Sequence, residues 1–501
     1  MPWRSIPSSQ CRLPAGLQGC RARARSPASR SLASSSSGGR AIQKRLARST
    51  SLNEVLTLLR EDLGSWPPVT LSTAWHRLAR HVREGPVGRD AAVASAVERL
   101  AEALDRSQLA AFSARGLANL IYAWGVLRFS GGPLRGKVFT HTSGRVGECN
   151  AQELANLVYA LGLLRSGRAE GLLEAACGEV PRLLDEFSPQ DLSNIAYALA
   201  LLGHRRTAVL RAVCSGALSK LPAFTPQGCS NLLYSLGLLR FRHRKLLRAA
   251  CAHAAGRLEQ FKEQEISNSV YALALLRFRG RRLLEAVCAD AHHRVGEFKS
   301  RGLSSIFYAF GLLEFRDDRF LQAACGHALS RLKEFNAQDI SNTVYALGLL
   351  EVYHDELLCG VGREMPGRLQ EFTGQGIANV VYSMGLLEYR HEGLLQAVCE
   401  HLPGRMAELS EQHVSNVVYA LGLLRFRHAG LLRAVAAHSP RLSAELTEQG
   451  LSIMAYGLAL LHPRLRRSER SAGDRGAAGT DPARAAGAAT AQHLHALAQK
   501  K

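Results

Sequence analysis

The sequence predicts an all-α fold: an α-solenoid of about ten 37-residue helix-pair repeats, with disordered termini. Three observations predict it. A tyrosine recurs at Tyr122, Tyr159, Tyr197, Tyr234, Tyr271, Tyr308, Tyr345, Tyr382, Tyr419 and Tyr456, every interval being 37 residues except one of 38. An apolar stretch surrounds each tyrosine, as from Leu192 to Leu202. Each period also holds two helix-like segments, one apolar on every side and one amphipathic. Units this short bury their apolar faces only against neighbours, so the chain reads as one stack.

Residues 1–50 hold ten Lys/Arg and no acid, with runs such as Arg21-Ala22-Arg23 and Ser34-Ser35-Ser36-Ser37. This is the composition of a mitochondrial or plastid transit peptide, or of a disordered basic arm. Residues 51–110 form a helical N-terminal capping region. There Trp66 precedes Leu71 as Phe187 precedes Leu192, Thr73 takes the slot of Asn194, and His76 takes the tyrosine slot.

Residues 111–461 form the helical repeat array. Helix A opens with Phe187-Ser188-Pro189-Gln190-Asp191-Leu192: a cap, a proline at the first turn, an acid for a capping box, and a Phe187/Leu192 staple. The cap slot recurs as Ser113, Asn150, Thr225, Asn336, Thr373, Ser410 and Thr447, whereas Lys262 and Lys299 depart from it. Helix A runs about thirteen residues. A row of Gly237, Gly311, Gly348, Gly385 and Gly422, with Ala200 and Ala274, allows close helix approach. After a loop such as Arg240-Phe241-Arg242-His243, helix B is expected from near Leu246 to near Gln260. One slot holds six of the eleven cysteines, Cys177, Cys214, Cys251, Cys288, Cys325 and Cys399, and elsewhere Gly362 and Ala436. Such a slot wants a small buried group, so reduced core cysteine is expected rather than zinc or disulfide. Residues 462–501 lose the pattern and are expected to be a disordered tail.

The net charge of +21 is concentrated at the ends. Residues 1–50 carry +10 and residues 462–501 carry +5, leaving +6 on the body, from 45 basic and 39 acidic side chains. No apolar run reaches the roughly 18 residues of a membrane span.

Ten copies, some imperfect, of Gln-x-Leu/Ile-Ser/Ala-Asn-x-x-Tyr-Ala-Leu-Gly-Leu-Leu lie within residues 66–461. They resemble the octotricopeptide and heptatricopeptide repeat proteins, which include chloroplast translation factors and the repeat region of FAST-kinase-like and RAP-domain proteins. The resemblance implies an organellar RNA-binding solenoid, in a mitochondrion or plastid, acting in RNA stability, processing or translation. It implies single-stranded RNA and organellar ribonucleoproteins as partners. The unit here is one residue shorter than the octotricopeptide unit. Residues 462–501 are also too short and too rich in Gly and Ala for a RAP domain, which weakens any enzymatic reading.

Three rows of equivalent side chains are candidates for RNA contact. The first is Asn119, Asn156, Asn194, Asn231, Asn268, Asn342, Asn379 and Asn416, broken by Ser305 and Ile453. Its amides suit base edges or phosphates, but an inter-repeat hydrogen-bond ladder is the favoured expectation. The second is the loop row Arg205, Arg242, Arg279, Arg316, Arg390 and Arg427, with Tyr353 in the same slot. These arginines either neutralise phosphates or sit in solvent, partly near helix C-termini. No other basic row of the body is expected to be as regular. The adjoining Phe241, Phe278, Phe315, Tyr389 and Phe426 are expected to close a hydrophobic seam rather than stack on bases. The third row is Gly116, Glu153, Asp191, Gly228, Glu265, Gly302, Asp339, Gly376, His413 and Gly450. Its variation fits either one-base-per-repeat reading or helix capping. No GxxxxGK[ST], GxSxG or HExxH occurs, so the chain is expected not to be an enzyme and to need no cofactor or metal. A protein-interaction scaffold of armadillo or tetratricopeptide type is the alternative function.

Overall fold

Each repeat folds as two helices meeting at a sharp corner, and successive repeats stack in register. The computed structural model describes residues 37–84, 91–165, 169–438 and 447–461. Among these residues there is no strand. The expected tail, and the first 36 residues of the expected arm, lie outside them. A helices occupy Ala114–Leu127, Ala151–Leu164, Pro189–Leu202, Pro226–Leu238, Glu263–Leu275, Ser300–Leu313, Ala337–Leu350, Gly374–Leu386, Glu411–Leu423 and Glu448–Leu461. B helices alternate with them, from Gly132–Ser143 to Ala429–Ala437.

The A helices start where the capping residues place them. The Asp191 amide donates to Ser188 Oγ at 3.2 Å, and the Ser188 amide donates to Asp191 Oδ2 at 2.9 Å. Asn150 with Glu153 and Asn336 with Asp339 build the same box. At Lys262 the side chain has no acceptor, and only the return bond from Lys262 N to Glu265 at 2.9 Å remains.

The ends are as regular. Arg240 N–H donates to the Gly237 carbonyl and Phe241 N–H to the Leu236 carbonyl, both at 2.9 Å, a Schellman closure with Arg240 left-handed at φ 49°. Glycine fits this position best, yet among the described residues Gly203 is the only glycine used there. Arg128, Arg165, Arg240, Arg277, Glu314, Glu351, Glu388 and Arg425 hold it with φ between 45° and 53°.

Helix B breaks sooner than its apolar spacing suggests. It spans Arg244–Ala255, and a 3-10 turn at Leu258–Gln260 then carries the chain to Phe261. His243 Nδ1 accepts from Leu246 N at 3.2 Å, which caps helix B and starts it early. His354, His391 and His428 cap their B helices in the same way.

Successive A helices pack backbone to backbone. A Cβ on Gly237 would stand 3.0 Å from Ala272 Cα, one on Gly385 2.8 Å from Ala420 Cα, and one on Gly348 2.6 Å from Ser383 Cβ. Successive B helices touch less extensively. The cysteine slot lies inside the core, and burial pushes the thiols of Cys177, Cys214, Cys251, Cys325 and Cys399 up to about 12. Phe187, Phe224, Phe261, Phe298, Phe335 and Phe372 are buried ahead of the caps.

At the N-terminal end, helix Pro68–Glu84 takes the place of an A helix. Its His76 ring lies 6.0 Å from Tyr122, continuing the tyrosine row. Helix Ser37–Arg48 falls within the stretch assigned to the arm by composition. It packs on Pro68–Glu84 with Leu46 buried, and Thr70 Oγ1 donates to Gln43 Oε1 at 2.9 Å.

Candidate nucleic-acid interface

On helix A, residues four and seven positions apart share a face. One face therefore carries Gln190, Asn194, Tyr197 and Leu201, and the pattern repeats along the stack. The asparagines Asn194, Asn231, Asn268, Asn342, Asn379 and Asn416 are half-buried on it. Among the described residues, none of these six amides has a hydrogen-bond partner. The expected asparagine ladder is thus not formed.

Serine, one residue earlier, forms inter-repeat bonds instead. Ser193 Oγ donates to the Gly228 carbonyl at 3.1 Å and Ser230 Oγ to the Glu265 carbonyl at 2.9 Å, each in the next repeat. Ser304 Oγ donates to Asp339 Oδ1 at 2.8 Å. One residue is about 100° of helix rotation, so serine lies in the A–A seam while asparagine turns out of it.

The glutamine that opens the repeat motif, not among the three candidate rows, forms a further row on the same face: Gln152, Gln190, Gln227, Gln264, Gln338, Gln375, Gln412 and Gln449, with Arg115 and Arg301 in the remaining slots. Its place in the motif already marked it, and its four-residue spacing from the asparagine puts both on one face. The side-chain amides of Gln190, Gln227, Gln264 and Gln375 also lack partners among the described residues. A shallow groove crosses the first turns of successive A helices here, lined by Gln190, Asn194, Tyr197, Gln227, Asn231 and Lys262.

The tyrosines lie beside the asparagines as a tilted stack. Tyr234–Tyr271 and Tyr271–Tyr308 centroids are 6.4 Å apart, and Tyr382–Tyr419 6.2 Å. Burial raises the phenols of Tyr271, Tyr308, Tyr382 and Tyr419, and that of Tyr159 to about 12, so these stay protonated donors at neutral pH.

The varying third row is engaged in capping. Glu153, Asp191, Glu265, Asp339 and His413 each accept from the backbone N–H at the cap position. Burial raises the Asp339 carboxyl and lowers the His413 imidazole. The glycines answer to crowding: a Cβ on Gly302 would stand 2.9 Å from Ser267 Oγ, and one on Gly376 2.8 Å from Ser341 Oγ.

The loop arginines sit at the opposite end of helix A, roughly 13 Å along the axis from the asparagines. Arg242 donates to the Leu276 carbonyl and, at 2.7 Å, to that of Arg277, capping the next A helix. Arg316 donates to the Leu350 carbonyl at 3.0 Å and Arg390 to that of Leu424 at 3.2 Å. Arg279 pairs with Glu314, while Arg205 and Arg427 are exposed. Phe241, Phe278, Phe315 and Tyr389 pack against the core seam, and Phe426 is buried in it.

A more regular basic row exists, against expectation: Arg145, Arg182, Lys220, Arg257, Arg294, Arg331, Arg368 and Arg405. It closes each repeat. Arg294 donates to the Phe261 carbonyl at 3.0 Å, Arg368 to that of Phe335 at 3.0 Å and Arg405 to that of Phe372 at 2.8 Å. Arg294, Arg368 and Arg405 also pair with Glu297, Glu371 and Glu408.

The family model of the RNA-editing substrate-binding complex 6 protein matches residues 211–464, half of the chain. The chain belongs to this family. The matched segment contains the groove's second half and most of the amide rows. Among structures, the chain is similar to a homology model of the full-length AP-3 complex in an intermediate open conformation. The likeness has 9% identity and a TM-score of 0.31, and covers 84% of this chain and 83% of that one. No curated protein sequence matches at significance. Among the described residues, no helix is long and apolar enough to cross a membrane.

Proposed function

We propose that the chain binds single-stranded RNA along the A-helix face, as an organellar RNA-binding protein without chemistry of its own. The observation that carries this is the double row of amides without a partner among the described residues: Gln190, Gln227, Gln264 and Gln375 beside Asn194, Asn231, Asn268, Asn342, Asn379 and Asn416. An amide offers both donors and an acceptor, so it can pair with phosphate, 2′-hydroxyl or base edge. Because the row is nearly invariant, it suits the repeating part of a strand and carries little sequence preference. The name of the RNA-editing substrate-binding complex family supports RNA and ribonucleoprotein partners. The octotricopeptide-like pattern supports a role in RNA stability, processing or translation. The acid-free first 50 residues support a mitochondrial or plastid address.

The test is crosslinking of a photoreactive single-stranded RNA followed by peptide mapping. Crosslinks should fall on the first halves of A helices, near Gln227, Asn231 and Tyr234. Binding of peptides but not RNA would turn the account toward a protein scaffold. A reporter fused to residues 1–50 should enter an organelle, and a diffuse cytosolic reporter would remove that part of the proposal.

A further inference from the structure

The corners between helix A and helix B form one long edge, and its charge changes sign. Each corner spans the nine residues that begin at its left-handed position. Residues 203–211 carry Arg205, Arg206 and Arg211 with no acid, net +3. Residues 240–248 carry Arg240, Arg242, Arg244, Lys245 and Arg248, net +5. Residues 277–285 carry four arginines against Glu285, net +3. The next corner, 314–322, sets Arg316 and Arg319 against Glu314, Asp317 and Asp318, net −1. Residues 351–359 carry Glu351, Asp355 and Glu356 with no cation, net −3. Residues 388–396 set Arg390 against Glu388 and Glu392, net −1. The corner at 425–433 returns to +3.

Part of this charge is already paired within the chain, as in Arg206–Glu174, Arg279–Glu314, Arg316–Asp318 and Arg390–Glu392; the two strongest corners keep uncommitted charge. Arg240, Arg244, Lys245 and Arg248 are exposed, and their side chains have no partner among the described residues. Glu351 and Glu388 are likewise exposed and unpaired there. Arg240, Glu351 and Glu388 keep their charge at positive φ, where glycine would relieve backbone strain. Tyr353 stands 52% exposed in the most acidic corner, its ring 5.9 Å from Tyr389. Its hydroxyl donates to Asp355 Oδ1 at 3.1 Å, and an exposed aromatic ring beside a carboxylate is a seat for a guanidinium.

We propose that two copies of this chain associate edge to edge and antiparallel, about a twofold axis between the corners at 277–285 and 314–322. An isologous contact needs a self-complementary surface, and an edge that changes sign midway is one. The axis sets the +5 corner against the −3 corner and places +3 corners against −1 corners on either side. Equal repeat spacing keeps the two edges in register. The next pairing would oppose 165–173 with 425–433, at +1 and +3, so like charge ends the match. A polyanion following this edge would instead run into the acidic corners at 314–396. This association is independent of RNA binding on the A face.

The test is the mass of the full chain in solution, by sedimentation at low and at high salt. A dimer at low salt that dissociates at high salt is expected. Arg244→Glu with Lys245→Glu should weaken dimerisation at least about tenfold, as should Glu351→Arg with Glu356→Arg. Acids suit the first turn of helix B, and arginine already occupies the slot of Glu351 in other repeats, so both variants should fold. Mixing the two variants should restore a dimer, because each reversed corner then meets its complement. A wild type monomeric at low salt, a dimer that both variants leave intact, or a mixture that stays monomeric would overturn the proposal.

Discussion

The two ends of helix A are built to opposite rules. The N-terminal end repeats itself: neutral Gln and Asn amides stand in nearly every repeat from Gln152 to Asn416. The C-terminal end varies, from five cations at 240–248 to three acids at 351–359, on a backbone closure that hardly changes. A constant row suits a ligand that repeats, and a graded edge suits a partner of finite extent and fixed orientation. The packed seam between A helices carries both ends.

Breaking that seam should have the largest effect. Gly348→Leu places a Cβ 2.6 Å from Ser383 Cβ and 2.8 Å from its Cα, so the clash is with backbone as well as side chain. A loss of about 3 kcal/mol is expected in denaturant unfolding. A neutral substitution would mean that the A helices are not in close contact.

The uniform face has an odd member at its N-terminal end. Burial pushes the His76 imidazole down to about 4, against 6.5 ordinarily. The unfolded chain therefore takes up a proton first as pH falls. Stability should be full above about pH 6.5 and decline from there toward pH 4, by about 3 kcal/mol. His76→Tyr should complete the row and flatten that decline, which melting curves across the range would show.

The variable end can be probed through its arginines. Arg242→Gln with Arg316→Gln removes carbonyl caps on the next repeat, and about 1–2 kcal/mol of stability should go with them. The salt slope of RNA binding should change by less than about 0.7, the value of one phosphate contact. A fall of about two such units would place phosphates at the corners instead. The smallest effect expected is a gain. Lys262→Ser supplies the missing cap, and about 0.5–1 kcal/mol of added stability is expected in the same unfolding assay.

The repeat, the caps, the glycine seam and the buried cysteine slot were all legible from recurrence, because each side chain meets an equivalent neighbour. The roles of rows were harder to read. Asparagine and serine are adjacent and equally recurrent, and only their rotation about the helix separates the seam from the open face. Arg294 and Arg242 are both recurrent cations, yet one closes its own repeat and the other caps the next. The end of helix B was misplaced because apolar spacing runs on through the 3-10 turn to Leu258. The sign change along the corners breaks the recurrence, so a search for constant rows overlooks it.

The central claim is that the partnerless amides of helix A are the RNA contacts. The direct measurement is the affinity for a single-stranded RNA of Asn231→Ala, Asn268→Ala, Asn342→Ala and Asn379→Ala combined, alongside its melting temperature. An unchanged melting temperature is expected, since among the described residues these amides have no partner. The account predicts a loss of affinity of at least about tenfold, from about 0.5–1.5 kcal/mol per lost hydrogen bond. Unchanged affinity in a folded variant would contradict it and move the RNA off this face.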